Sequence, residues 1–371
     1  MGIQNYRVPL FSHGRLSDEQ IEEHLSAIFD ILRNGDVMPF GSSYVTHFED
    51  LLSRFLGFSH VVGVGSGTVA LAAAVESLDL PPESEVVTSP FTFQATAATI
   101  LQAGLRPVFA DIDIKTMQLS DLAAYDAITP NTSAVLPVHL NGSLCHIPKT
   151  TSKCIQLGIK RIDDSAQRLV RDGTRAEKPD ISCYSLGPTK NIVGYAEAGA
   201  VATDHSELVT KARCLIRNGS VGTFYHSRLG YNGAMDSIAA AMLLNNVKRV
   251  EHWNNRREQI ANRYDSNLRG ISSVDLVSRV SSCNAKYSIY VKERRDELFD
   301  FLQSECSIEV DIYYPIPLHL QPCFGALGYA TGDFPNAESA ASMVLSLPIN
   351  ESLTDREVDY VSDMVHRFFN E

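Results

Sequence analysis

The chain has 371 residues, 44% of them hydrophobic and 20% charged, a globular composition that excludes a disordered or low-complexity polymer and suffices for a large core. Its 32 basic residues against 44 acidic ones give a net charge of −12, which argues against general attraction to nucleic acid or anionic membrane. Any anion it binds must meet a local positive site.

In chain order, Ser17 and Gln20 form a capping box before Ile21, Leu25, Ile28 and Leu32, which recur at helical spacing up to Gly35. Val45, Phe48, Leu52 and Phe55 mark a second amphipathic helix ending at Gly57. Strands and helices then alternate: strands are expected at 60–64, 85–89, 106–112, 133–140, 159–163, 181–186 and 199–203, with helices at 69–78 and 93–104. Short apolar strands alternating with helices predict an α/β fold whose mainly parallel seven-stranded sheet is covered on both faces. Beyond residue 234 the texture changes to one long helical stretch, 234–268, with Ile260, Tyr264 and Leu268 on one face, followed by mixed segments. The last helix carries a Thr354/Glu357 capping box and the stripe Val358, Val361, Val365, Phe368. The expected organisation is a large domain over 1–245, including the N-terminal helices, and a smaller α+β domain over 246–371.

Seven cysteines without a CxxC pair indicate reduced thiols, offer no zinc site and fit a cytoplasmic protein. The N-terminus shows no basic region followed by an apolar run, and no stretch reaches the ~18 apolar residues of a membrane span.

Three segments carry chemistry. GVGSGT (63–68) crowds glycines into a strand-to-helix turn, where free backbone N–H groups can cradle a phosphate; a plain tight connection is the alternative. Neither the dinucleotide fingerprint nor the P-loop is satisfied, since Thr68 stands where a third glycine is needed and no Gly-Lys-Ser/Thr follows. RIDDSAQ (161–167) places Asp163 and Asp164 at a strand end, either as a helix cap or as carboxylates awaiting a cationic partner. YSLGPTK (184–190) ends a strand at Ser185 and presents Lys190 in a loop. A lysine for a Schiff base, a carboxylate to keep a pyridine nitrogen protonated and donors for a phosphate are the needs of pyridoxal phosphate.

Together with SPFTFQATA (89–97), LPVHLNG (136–142), GYN (230–232) and YYPIPLHLQP (313–322), these segments resemble, across nearly the whole chain, the DegT/DnrJ/EryC1/StrS family of sugar aminotransferases, which are fold type I pyridoxal phosphate enzymes. The resemblance implies that Lys190 forms the Schiff base and moves protons, that Asp164 pairs with the ring nitrogen, and that Gln167 approaches the phenolic oxygen. It further implies Phe93 stacked on the ring, Ser66, Gly67, Thr68 and Ser185 on the phosphate, and Asn232 reaching that phosphate from a neighbouring subunit of a homodimer. Tyr314 and His319 would come near the sugar, with a structural role for His319 equally open. The implied reaction takes an amino group from an amino acid, glutamate by expectation, and delivers it to a keto sugar, nucleotide-linked by expectation.

The chain departs from the family pattern at AEAG (196–199), where glycines are usual, and at Asn232-Gly233-Ala234, where an Asn-x-Arg is usual. Asn141, Ser165 and Leu186-Gly187 also differ from the usual residues, and Arg168 is a candidate replacement anion anchor. A cyclitol or aminoshikimate-type transaminase and a non-catalytic regulatory homologue are the alternatives. A deoxygenating dehydratase of the same fold is disfavoured because such proteins resemble the family but replace the lysine with histidine.

Overall fold

The structure is a computed structural model that describes residues 6–12, 15–38, 40–171 and 178–371. The extreme N-terminus, read above as lacking a leader pattern, lies partly outside the described residues.

Two helices open the fold, α1 (Asp18–Asn34) and α2 (Ser43–Leu56), each stopped by a left-handed glycine, Gly35 and Gly57. The alternating region follows as β1 (His60–Val64), α3 (Gly67–Ser77), β2 (Glu85–Thr88), α4 (Gln94–Gln102), β3 (Arg106–Phe109), α5 (Asp121–Ala127), β4 (Thr132–Leu136), α6 (Pro148–Leu157), β5 (Lys160–Asp164), β6 (Ile181–Ser185), β7 (Gly199–Thr203) and α7 (Ser206–Leu215). A small hairpin, β8 (Ser220–Gly222) and β9 (Tyr225–His226), leads to α8 (Ser237–Val247) and α9 (Val250–Leu268). The remainder is β10 (Val274–Leu276), β11 (Tyr287–Val291), α10 (Arg295–Asp300), α11 (Pro335–Met343), β12 (Val344–Leu347) and α12 (Asp355–Asn370).

All seven expected strands of the main sheet form, in the order β1-β7-β6-β5-β4-β2-β3. β7 runs antiparallel to both neighbours and the other pairings are parallel. β3 is an edge strand, which is why it tolerates Pro107 in its middle. β4 stops at Leu136 because Pro137 cannot continue the ladder. The second sheet, β10-β11-β12, is antiparallel, and its core joins Ile260, Tyr264 and Leu268 of α9 to Val358, Val361, Val365 and Phe368 of α12. Val8 packs into this second core, having bridged to Ile308.

Two expectations are corrected. The stretch 234–268 is not one helix: Asp236 caps α8 by accepting from the Ala239 N–H at 2.8 Å, and the ladder breaks at Lys248–Arg249, where the Arg249 N–H bonds Asn246 in a tighter turn. The break separates a small-residue helix packed on α2 from an amphipathic one serving the second core. The stripe on α1 also faces outward: Leu25 and Leu32 are 61% and 65% exposed, while His24 and Ile31 turn inward on the side lying against α8. Helical spacing identifies an apolar face but not whether the same chain covers it.

Among the described residues no helix is long and apolar enough to cross a membrane. The seven cysteines are free thiols, six of them buried.

Candidate active site

The sheet brings the three chemical segments to one edge. Gly199 at the start of β7 pairs with Val64 on one side and Ser185 on the other, so the turn after β1 lies beside the carboxyl end of β6. The approach is close enough that a Cβ on Gly199 would collide with the Ser66 carbonyl, and one on Gly67 would meet the Ser185 Cβ at 2.6 Å. The glycines are therefore demanded by backbone proximity. Ser66 caps α3, its hydroxyl accepting from the Val69 N–H at 3.2 Å. The first N–H groups of a helix have no intrahelical acceptor, which leaves those of Gly67 and Thr68 for an anion.

β5 alternates its two aspartates between faces. Asp163 faces away from this edge, within 3.1 Å of His139 Nε2 and accepting from Arg161 Nε at 3.0 Å. Asp164 faces the cavity, where its carboxylate accepts from Thr96 Oγ1 at 2.8 Å and from the Ala166 N–H at 3.0 Å. No helix follows it; residues 165–168 form a turn, so its role is not that of a helix cap. Burial pushes the Asp164 carboxyl above the ordinary carboxylate range, outweighing these donors and the attraction of Lys190. A carboxylate held in this way favours a buried cationic partner. Burial likewise lowers the Lys190 ammonium, against the opposing pull of Asp164 and Glu197.

These groups line one cavity of about 540 Å³, together with Ser66, Gly67, Thr68, Phe93, Gln167, Ser185 and Tyr314. Phe93 precedes α4 and is 58% exposed, an aromatic face turned to the opening instead of the core. Gln167 accepts from the Asn141 N–H at 2.7 Å and donates to the Tyr314 hydroxyl at 3.2 Å, which ties the first unit to the segment after β11. The departure at Asn141 is thus a backbone one: Asn141 adopts a left-handed φ of 57° while its N–H holds Gln167.

Three of the residues named from the sequence lie outside this cavity, one of them, Asn232, having been expected at a neighbouring subunit's site. His319 is buried with Nε2 3.0 Å from Glu338 and its ring edge-on to Phe334, and it is not among the cavity-lining residues. Asn232 forms an isolated bridge to Arg217 and does not line this chain's own cavity. Arg168, the candidate anion anchor, donates to the Ser281 carbonyl at 3.1 Å and also lies off the cavity. Sequence reading missed Thr96, Glu197, Tyr313 and Lys286, all cavity-lining. Thr96 sits within a motif that was recognised, whereas Lys286 had no local signal.

The donor set fits pyridoxal phosphate: a lysine of lowered basicity, a buried carboxylate short of a cation, a helix start walled by glycine and an exposed aromatic face. The fold and this set define a lysine-centred transferase of the α/β type. Residues 18–366 match the DegT/DnrJ/EryC1/StrS aminotransferase family, and the chain belongs to it. It is 32% identical over 359 residues to the "Pleiotropic regulatory protein" of Geobacillus stearothermophilus, covering 95% of this chain and 96% of the other. It is 30% identical to a dTDP-3-amino-3,4,6-trideoxy-alpha-D-glucose transaminase of Streptomyces venezuelae, covering 98% of this chain and 96% of the relative. The crystal structure of NtdA from Bacillus subtilis with bound cofactor PMP superposes with a TM-score of 0.92 at 28% identity, covering 99% of this chain and 86% of that one.

Proposed function

We infer that this protein is a pyridoxal phosphate-dependent aminotransferase that moves an amino group from an amino acid, L-glutamate by preference, to a nucleotide-linked keto sugar. The observation that carries this is the convergence of Lys190, Asp164 and the Gly67 turn in one cavity beneath Phe93. The cofactor, when bound, supplies an electron sink that makes the donor's α-hydrogen acidic. Asp164 would hold the ring nitrogen protonated, Phe93 would stack on the ring, and Ser66, Gly67, Thr68 and Ser185 would hold the phosphate. Lys190 Nζ, its proton loosened by burial, accepts the donor's α-proton and returns it on the acceptor side. Gln167, held by the Tyr314 hydroxyl, would approach the ring's phenolic oxygen.

The same reading assigns residues 1–245 to cofactor binding and 246–371 to the smaller unit, and places the protein in the cytoplasm. It makes the protein a homodimer, with Asn232 of each chain serving the neighbouring site. The outward face of α1 and the exposed Phe224, Tyr225 and Leu229 around the β8–β9 hairpin support a partner surface. A regulatory role is motivated by the name of the Geobacillus relative, but the retained Lys190, Asp164, Gln167 and Ser185 favour catalysis.

The test is to load purified protein with pyridoxal phosphate, look for absorbance near ~400 nm, and assay conversion of glutamate to 2-oxoglutarate with a nucleotide ketosugar. Absence of turnover in wild type, or turnover retained in K190A, would overturn the reading.

A further inference from the structure

Lys286 lies on the segment entering β11, nearly a hundred residues from Lys190 in sequence, yet its side chain lines the same cavity. Its ammonium makes no hydrogen bond or ion pair among the described residues; it sits 2.9 Å from the centroid of the Tyr313 ring. Of the described residues lining the cavity, Lys190 and Lys286 are the two cationic side chains, with Asp164 and Glu197 as the acidic ones. Arg168, the cation that the sequence offered for this task, is committed to Ser281 outside the cavity.

A part-buried ammonium over an aromatic face, without a carboxylate in contact, is complementary to an anion brought by a ligand. We propose that Lys286 anchors the α-carboxylate of the amino-acid donor within the cavity it shares with Lys190. The choice of carboxylate over a nucleotide diphosphate follows from connectivity. The donor's carboxylate is bonded to the carbon whose proton Lys190 moves, while a diphosphate is held away from the keto carbon by the sugar ring. Burial and the nearby Lys190 charge push the Lys286 ammonium well below its ordinary range, with Asp311 opposing; an incoming carboxylate relieves that penalty. The proposal rests on the aminotransferase reading and deepens it, because a carboxylate anchor serves the donor half of the exchange and has no counterpart on a neutral sugar ring.

The test uses holoenzyme carrying K286M or K286R. The donor half-reaction is followed by loss of the ~400 nm band on adding L-glutamate, the acceptor half-reaction by its return with a nucleotide ketosugar, and unreactive maleate is titrated by calorimetry. The expected result is a rise of at least about tenfold, equivalent to 1.4 kcal/mol, in the glutamate half-saturation and the maleate Kd of K286M. The ketosugar half-saturation stays within about twofold, and K286R recovers most of the donor affinity. Unchanged glutamate and maleate binding in fully loaded K286M overturns the proposal, as does a defect confined to the ketosugar. A wild type that takes up no cofactor instead overturns the aminotransferase reading, and the anchor with it.

Discussion

Thr96 Oγ1 donates a 2.8 Å hydrogen bond to Asp164 Oδ2, joining the first turn of α4 to the carboxyl end of β5 beneath the cavity floor. Thr92 Oγ1 lies 3.2 Å from the same hydroxyl, which orients it. The bond favours the charged carboxylate and opposes the burial that raises it. T96V keeps the shape and removes the donor. A hydrogen bond to a charged group is worth about 1.5–3 kcal/mol, so transaminase activity near pH 7 should fall about tenfold or more, with its acidic limb displaced to higher pH. A pH–rate profile superimposable on wild type would show that the bond does not tune Asp164.

Lys190 gives a sign-definite prediction for the cofactor-free protein. Its folded pKa lies below the ordinary lysine value because burial outweighs the pull of Asp164 and Glu197. The protonated form is therefore disfavoured in the folded state, and wild type carries a penalty at neutral pH that fades as pH rises through the folded pKa toward the unfolded one. K190M should be as stable as wild-type apoprotein or more so at pH 7, with the difference shrinking at alkaline pH in thermal melts. Turnover should drop by at least about 10²-fold.

Gly67 tests the phosphate cradle by volume. In G67A the new Cβ falls 2.6 Å from Ser185 Cβ and 3.2 Å from its Cα, and backbone there cannot yield as a flexible side chain would. We expect about 1–3 kcal/mol of destabilisation together with weakened pyridoxal phosphate binding in a spectroscopic titration. Unaltered melting and cofactor affinity would mean that the turn and β6 separate readily.

Phe93 should show the opposite pattern, since more than half of its surface is exposed. F93A is expected to change stability by no more than about 0.5 kcal/mol. Loss of an aromatic stacking partner, worth about 0.5–1.5 kcal/mol, should weaken cofactor binding roughly threefold to tenfold. A large melting shift without a cofactor effect would make the ring structural.

Much of the site was legible because its parts are local. Asp164 and Ser185 end short apolar strands while Ser66-Gly67-Thr68 and Lys190 follow them, and parallel strands gather their carboxyl ends on one edge whatever the loops contain. His319 shows where this logic weakens: its motif reached the right neighbourhood through Tyr314, but the imidazole turned to Glu338 and Phe334. Lys286 gave no warning at all, because nothing beside it in the chain says that it will enter the cavity that holds Lys190.

Apolar periodicity and strand-to-helix turns by themselves determined seven strands and the helices at 69–78 and 93–104, and the family followed from the resemblance of separate short motifs along the chain, since each of these signals lies in residues close together in sequence. Tertiary packing alone decided that the α1 stripe faces outward, that 234–268 breaks at Arg249, which of the two β5 aspartates meets the cavity, and that Lys286 joins it. Such outcomes depend on which distant surface arrives to bury or charge a side chain, and that partner is not written in the residue's own neighbourhood.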